Sequence, residues 1–259
     1  MATIKTETVT KSKTLEKLLL DHLEDFEPSG GGGGDHNLPD FELYAIDYLE
    51  FAEKRLNNIE KYKDDIDELI NCVAHLKRAV DCQLDTFFHS VGLYKTIQDR
   101  NLKFEKKLDF LNGIGVFSSR SLNRLNTLRN KMEHHYEIPK ISDIELYYDL
   151  VSAFIAVIQG LIFLLGFHRE VDFSINIEDN NFGDFQSEYD DKKLEIRIKW
   201  NLKKSDKKNE LVAKLDELDD FIYFFKVHIL LVQLDTFANW KHIYDKIKLT
   251  KNDKKNGSH

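Results

Sequence analysis

The sequence predicts a mainly α protein: a helical bundle followed by a small β-sheet and a long helix, an extension of α+β type. Three observations predict it. Apolar residues recur at three- and four-residue spacing through most of the first 167 positions, the period of one helix face. The period then changes to alternation over Val171, Phe173, Ile175 and Ile177, and again over Leu194, Ile196, Ile198, Trp200 and Leu202, as in strands. Finally, 42% hydrophobic and 32% charged residues with only three prolines suit a folded, helix-rich chain of 259 residues.

Residues 1–37 read as a short helix and a tether. "KTLEKLLLDHLEDFEP" sets Leu15, Leu18, Leu19 and Phe26 on one side. The five glycines of "SGGGGGDHN" read as a flexible linker, with a reach on the order of 18 Å. Residues 38–167 read as the bundle. Phe41, Ala45, Tyr48, Phe51 and Leu56 mark its first helix, and Ile66, Leu69, Ile70, Val73, Leu76, Val80, Leu84 and Phe87 a long second one that Gly92 closes. "YKTIQDRNLKFEKKLDFL" reads as a third, running to the "NGIG" breaker. Ser118 and Ser119 are placed to cap a fourth, carrying Leu122, Leu125, Leu128 and Met132, which Pro139 stops. Ser142 with Glu145 fits a capping box for the apolar helix ending near Gly166. Residues 168–259 then hold the strands, with one more around Phe185. "KKSDKK" ends the sheet, and a long helix on Leu211, Leu215, Leu218, Ile222, Phe225, Ile229 and Leu230 leads to a polar tail.

The net charge of −8 argues against nucleic acid bound across the whole surface. Locally the balance reverses: between Lys95 and Lys131 nine basic residues stand against three acids. Cys72 and Cys82, ten positions apart on one predicted helix, are separated by roughly 15 Å and cannot bridge there. They read as reduced core residues of a cytoplasmic protein, and "MATIKTETVTKSK" lacks the apolar run of a signal peptide. With no Cys/His cluster at zinc-ligand spacing, neither metal nor other cofactor is expected. Residues 150–167 carry no charge and approach the length of a membrane span. The expected reading is a helix surrounded on all sides within the bundle, with a span as the alternative.

Chemistry-bearing side chains concentrate in "LRNKMEHHYEIP", residues 128–139. On a helix turning about 100° per residue, Arg129 lies roughly 45° from the centre of the leucine stripe, and His134 about 140° from Arg129. One chain directs both at one phosphate only if the helix unwinds near His134; otherwise a second chain must supply half of the site. The plain alternative is an ordinary helix end, with Arg129 and Glu133 paired four apart and His134 and His135 settled at the C-terminus.

Arg129-Asn130-x-x-x-His134-x-Tyr136, closing one bundle helix just before the next, resembles the signature of the HEPN superfamily (higher eukaryotes and prokaryotes nucleotide-binding domains). The resemblance covers roughly residues 38–167. It implies an all-α bundle and a metal-independent endoribonuclease, a toxin or antiviral defence effector that leaves 2′,3′-cyclic phosphate ends. Arg129 would hold the scissile phosphate, as a guanidinium does bidentately, and His134 would move protons at the ribose 2′-hydroxyl or the leaving 5′-oxygen. Asn130 would orient the phosphate or the histidine. Arg124, Lys131 and His135 are candidate contacts to the RNA backbone. Tyr136 reads as a core tyrosine or, as in a subset of the family, a tyrosine modified by an antitoxin. The implied partners are RNA, a second copy of the chain and an antitoxin or regulatory protein, with no membrane. The alternative within the same resemblance is a catalytically silent module that binds nucleotide, nucleic acid or protein.

Overall fold

The computed structural model describes residues 10–61, 65–117, 120–135, 137–138, 140–178, 181–202 and 208–249. In chain order the elements are α1 (Lys11–His22), β1 (Phe26–Gly32), α2 (Ala45–Lys61), α3 (Ile66–Ser90), α4 (Tyr94–Asp99), α5 (Phe104–Gly113), α6 (Arg120–His135), α7 (Ile141–Phe167), β2 (Glu170–Glu178), β3 (Asn181–Asp190), β4 (Glu195–Asn201), β5 (Asn209–Lys214), α8 (Leu218–Thr236) and α9 (Trp240–Ile247). The fold is thus mixed, mainly helical with one antiparallel five-stranded sheet. It divides into two units, residues 35–164 and the described parts of 1–34 with 165–259.

In the helical unit, α2 and α3 form an antiparallel pair. Asp65 caps α3 by accepting from the amides of Asp67 and Glu68, and Glu68 takes Arg55 at 3.0 Å and the Asn58 amide at 3.0 Å. Leu49, Ala52 and Ile59 of α2 are buried, as are Val73, Leu76, Val80, Leu84 and Phe87 of α3. Gly92, at φ 71°, ends α3 as its position predicts. The segment read as one third helix is two, α4 and α5. Asn101 between them takes φ 47°, a left-handed turn that asparagine tolerates and that no continuous helix contains. Leu108 and Leu111 of α5, Leu122 and Leu125 of α6, and Ile144, Val151, Phe154 and Ile158 of α7 complete the buried set. The expected caps Ser118 and Ser119 and the stop Pro139 lie outside the described residues. Ile144 donates to the carbonyl of Lys140, so α7 starts before Ser142 and the expected capping box is not its first turn.

Helix α7 is not surrounded. Leu146, Val157, Phe163 and Phe167 are 67%, 46%, 64% and 54% exposed, and a Cβ added at Gly160 would meet nothing within 4 Å. Among the described residues it is the one helix long and apolar enough to cross a membrane by length and composition.

In the other unit the glycine run overturns the expected tether. Residues 26–32 form edge strand β1, antiparallel to β2, with Phe26 opposite Ile175 and Gly32 opposite Glu170. Glycine is required where the strands draw close: a Cβ at Gly31 would sit 2.6 Å from the Glu170 carbonyl oxygen. Helix α1 is likewise fixed. Lys11 Nζ donates to the Val212 carbonyl at 2.8 Å and pairs with Glu217, Ser12 bonds Asp220, and Glu16 accepts the Leu249 amide at 2.7 Å.

The sheet runs in the order β1-β2-β3-β4-β5. Residues 209–214, read as the start of a long helix, are strand β5, and α8 begins only at Leu218. One sheet face carries Val171, Phe173, Ile175, Phe185, Tyr189, Ile196, Ile198 and Ala213, all buried, and α8 supplies Phe221, Phe224, Phe225 and Val232 to the same core. Phe26 joins it, with ring centroids 5.4 Å from Phe173 and 4.9 Å from Phe185. Within this apolar layer, His228 is fully buried between the Ser187 hydroxyl, 2.9 Å from Nδ1, and the His168 carbonyl, 3.0 Å from Nε2.

Candidate functional site

Leu122 and Leu125, both fully buried, fix the rotation of α6. At about 100° per residue this sends Asn126 and Arg129 to one side of the stripe and Arg124, Lys131, His134 and His135 to the side facing away. The exposures agree: Asn126, Arg129 and Asn130 are half-buried, whereas Arg124, Lys131, His134 and His135 are exposed. The helix continues through His135, so no unwinding before His134 brings it round to Arg129. The structure therefore splits the expected site residues into two groups. Tyr136 and the side chain of Glu133 lie outside the described residues.

Arg129 opens into a pocket of about 400 Å³. Ala74, Lys77, Arg78 and Asp81 line it from one stripe of α3, Lys103, Phe104 and Glu105 from the start of α5, and Asn126 and Arg129 from α6. Polar ties hold these walls. Asn126 donates to Glu105 at 3.0 Å across α5 and α6, and Lys107 pairs with Asp85 at 2.5 Å across α5 and α3. Lys77, only 8% exposed, pairs with Asp81 at 2.5 Å, and its Nζ lies 4.0 Å from the Phe104 ring centroid. Arg129 Nη1 donates to Asn130 Oδ1 at 3.2 Å, which makes Asn130 a partner of the arginine rather than of the histidine.

Four cations thus share one pocket, and two of them, Lys77 and Arg78, belong to a helix that the motif does not include. The available signal was "HLKRAV" on α3, a basic pair on a helix otherwise apolar at its inward positions. Its convergence with Arg129 is a long-range contact that spacing along the chain does not carry.

The outward group is simpler. Lys131 pairs with Glu137 at 3.4 Å, both exposed. Arg124 lies near Tyr147, whose hydroxyl pKa burial raises, Asp143 raises further and Arg124 partly offsets. His134 and His135 occupy the last turn of α6, both exposed to solvent.

Other reactive groups are enclosed. Burial, reinforced by Glu68, pushes the Cys72 thiol up to about 12, which keeps it protonated, and burial also raises half-buried Cys82. Ser187 and His228 are hydrogen-bonded but fully buried, beyond the reach of a substrate. Among the described residues no three His, Cys, Asp or Glu side chains gather where they could hold a metal ion.

The arrangement offers a pocket lined by four cations, Arg129 among them, and two acids, and, on the opposite side of α6, solvent-facing imidazoles. No family model, curated protein or solved structure matches this chain.

Proposed function

We propose that this protein is a metal-independent endoribonuclease of HEPN type, acting as a homodimer in toxin or antiviral defence. One observation carries the reading: Arg129 of the Arg-x4-His motif stands in a pocket with three further cations, while His134 is exposed on the far side of the same helix. A guanidinium so placed binds a phosphodiester and offsets charge growing on its oxygens. A solvent-facing imidazole takes the 2′-hydroxyl proton or supplies one to the departing 5′-oxygen. The two converge when Arg129 of one copy meets His134 of another. Attack of the 2′-oxygen on phosphorus then forms the 2′,3′-cyclic phosphate as the bond to the 5′-oxygen breaks. Asn130, bonded to Arg129, holds the arginine in position.

The test is cleavage of end-labelled single-stranded RNA in excess chelator, with the product ends identified. Arg129→Ala and His134→Ala each abolish cutting, and if both variants cut like the parent the reading fails. The separation of the two residues within one chain favours a second reading, a silent module that binds RNA through the pocket without cutting it. Bound but intact RNA at every enzyme concentration would select that reading.

A further inference from the structure

The geometry points to a second phosphate subsite for single-stranded RNA in the pocket between α3, α5 and α6, with Arg78 and Lys103 as the residues that grip the phosphodiester flanking the one at Arg129. This inference rests on the reading of Arg129 as an RNA-phosphate ligand. Of the four cations in the pocket, Lys77 is already matched by Asp81 and shielded against Phe104, and Arg129 is assigned to the scissile phosphate. Arg78 and Lys103 are exposed at the pocket walls, and neither forms an ion pair among the described residues. Glu105, the remaining acid in the lining besides Asp81, is hydrogen-bonded to Asn126. Two cations with no ion pair among the described residues, one on α3 and one at the start of α5, therefore face one cavity that also holds the motif arginine.

The surroundings add to this. The first turn of α5 lines the cavity, and no side chain caps that helix at Lys103, so its leading amides and positive helix end add to the field. Lys77 contributes as a fixed charge, held in place by Asp81 and the Phe104 ring. A volume of about 400 Å³ admits a phosphate with its sugar. A polyanion is compatible with a net charge of −8, because a pocket lined by four cations and two acids attracts phosphate through local field rather than net charge.

The test uses the full chain and a fluorescent oligoribonucleotide with 2′-O-methyl groups throughout, which lacks the nucleophile for cleavage and reports binding alone. Arg78→Ala and Lys103→Ala each weaken binding about tenfold, as loss of a charge-assisted contact does. Each also reduces the slope of log K against log salt by about 0.7. Lys106→Ala, which removes an exposed lysine paired with Asp109 on the same helix but outside the pocket, changes binding less than about twofold. With cleavable RNA the two pocket variants raise KM and leave kcat at saturation near the parent value. The inference is overturned if Arg78→Ala and Lys103→Ala bind like the parent, if Lys106→Ala weakens binding equally, or if no oligonucleotide binds. Its failure is separable from that of the ribonuclease reading. Pocket-dependent binding without cleavage removes only the enzyme, and cleavage lost in Arg129→Ala with binding indifferent to Arg78 and Lys103 removes only the subsite.

Discussion

Arg129 and His134 leave the same helix in nearly opposite directions, one into a lined pocket and the other into solvent, because Leu122 and Leu125 fix the rotation of α6 and the helix stays intact through His135. A site using both side chains is composite. Arg129→Ala and His134→Ala proteins, each inactive alone, are expected to regain activity when mixed and allowed to exchange subunits. With random pairing half of the dimers are mixed and each holds one intact site, so recovery approaches about a quarter of the parent rate. RNA cleavage measured before and after exchange checks this, and no recovery would place both residues on one chain's substrate.

The two glycine environments predict substitutions of opposite sign. Gly31→Ala presses a methyl group against the Glu170 carbonyl, 2.6 Å from the ideal Cβ, and should destabilise by about 1–3 kcal/mol. Gly160→Ala lies within helix α7, where the added Cβ meets nothing within 4 Å, and should stabilise by about 0.5–1 kcal/mol by restricting the unfolded chain. Denaturant titrations of the two variants against the parent read both.

His228 makes the sheet-bearing unit acid-sensitive. Burial lowers its pKa from 6.5 to about 4, opposed by the His168 carbonyl and reinforced by the charges of Arg169 and His168. The unfolded chain therefore binds a proton first. Stability from this residue is complete above about pH 6.5 and falls progressively as pH drops toward 4, by about 3 kcal/mol in all. Thermal melts across pH 7 to 4 should show that loss, and a His228→Leu protein should show a flatter profile over the same range.

The helical unit is inserted between neighbouring strands of one sheet, β1 before it and β2 after it. Its insertion points are close, since the Gly34 amide donates to the Gly166 carbonyl at 2.9 Å. Replacing residues 35–164 with a short glycine–serine linker should leave a folded protein with the strand content of the parent. Circular dichroism and protection of β2 and β3 amides from exchange would measure it.

Much of the helical pattern was legible because side chains announce it. The stripe Leu69, Val73, Leu76, Val80, Leu84 has one interpretation at helical spacing, and Gly92 marks its end. Strand β1 was not legible: glycines have no side chains to alternate, and what makes them a strand is the backbone of β2, remote in sequence. In β5 the leucines misled. Leu211, Leu215 and Leu218 share a helical period by coincidence, while the inward alternation of Leu211 and Ala213 spans too few residues to outweigh it. The exposed face of α7 was missed because an uncharged sequence does not say which of its sides is covered. At the site, the motif gave Arg129 and His134 and the helix period gave their divergence, but Arg78 and Lys103 reach the pocket through packing.

Strand β1 also sets a schedule for biosynthesis. Helix α1 and β1 emerge from the ribosome before the helical unit, yet β2, the strand that β1 pairs with, follows only after the whole of it. At ordinary elongation rates that interval is on the order of 10 s. Through it, Leu15, Leu18 and Leu19, which end up buried, have no finished surface to cover them. The segment from α1 to β1 thus waits, apolar side chains uncovered, for partners made much later. The glycines of β1 keep that wait comparatively safe, since an edge with few apolar side chains is a poor template for aggregation.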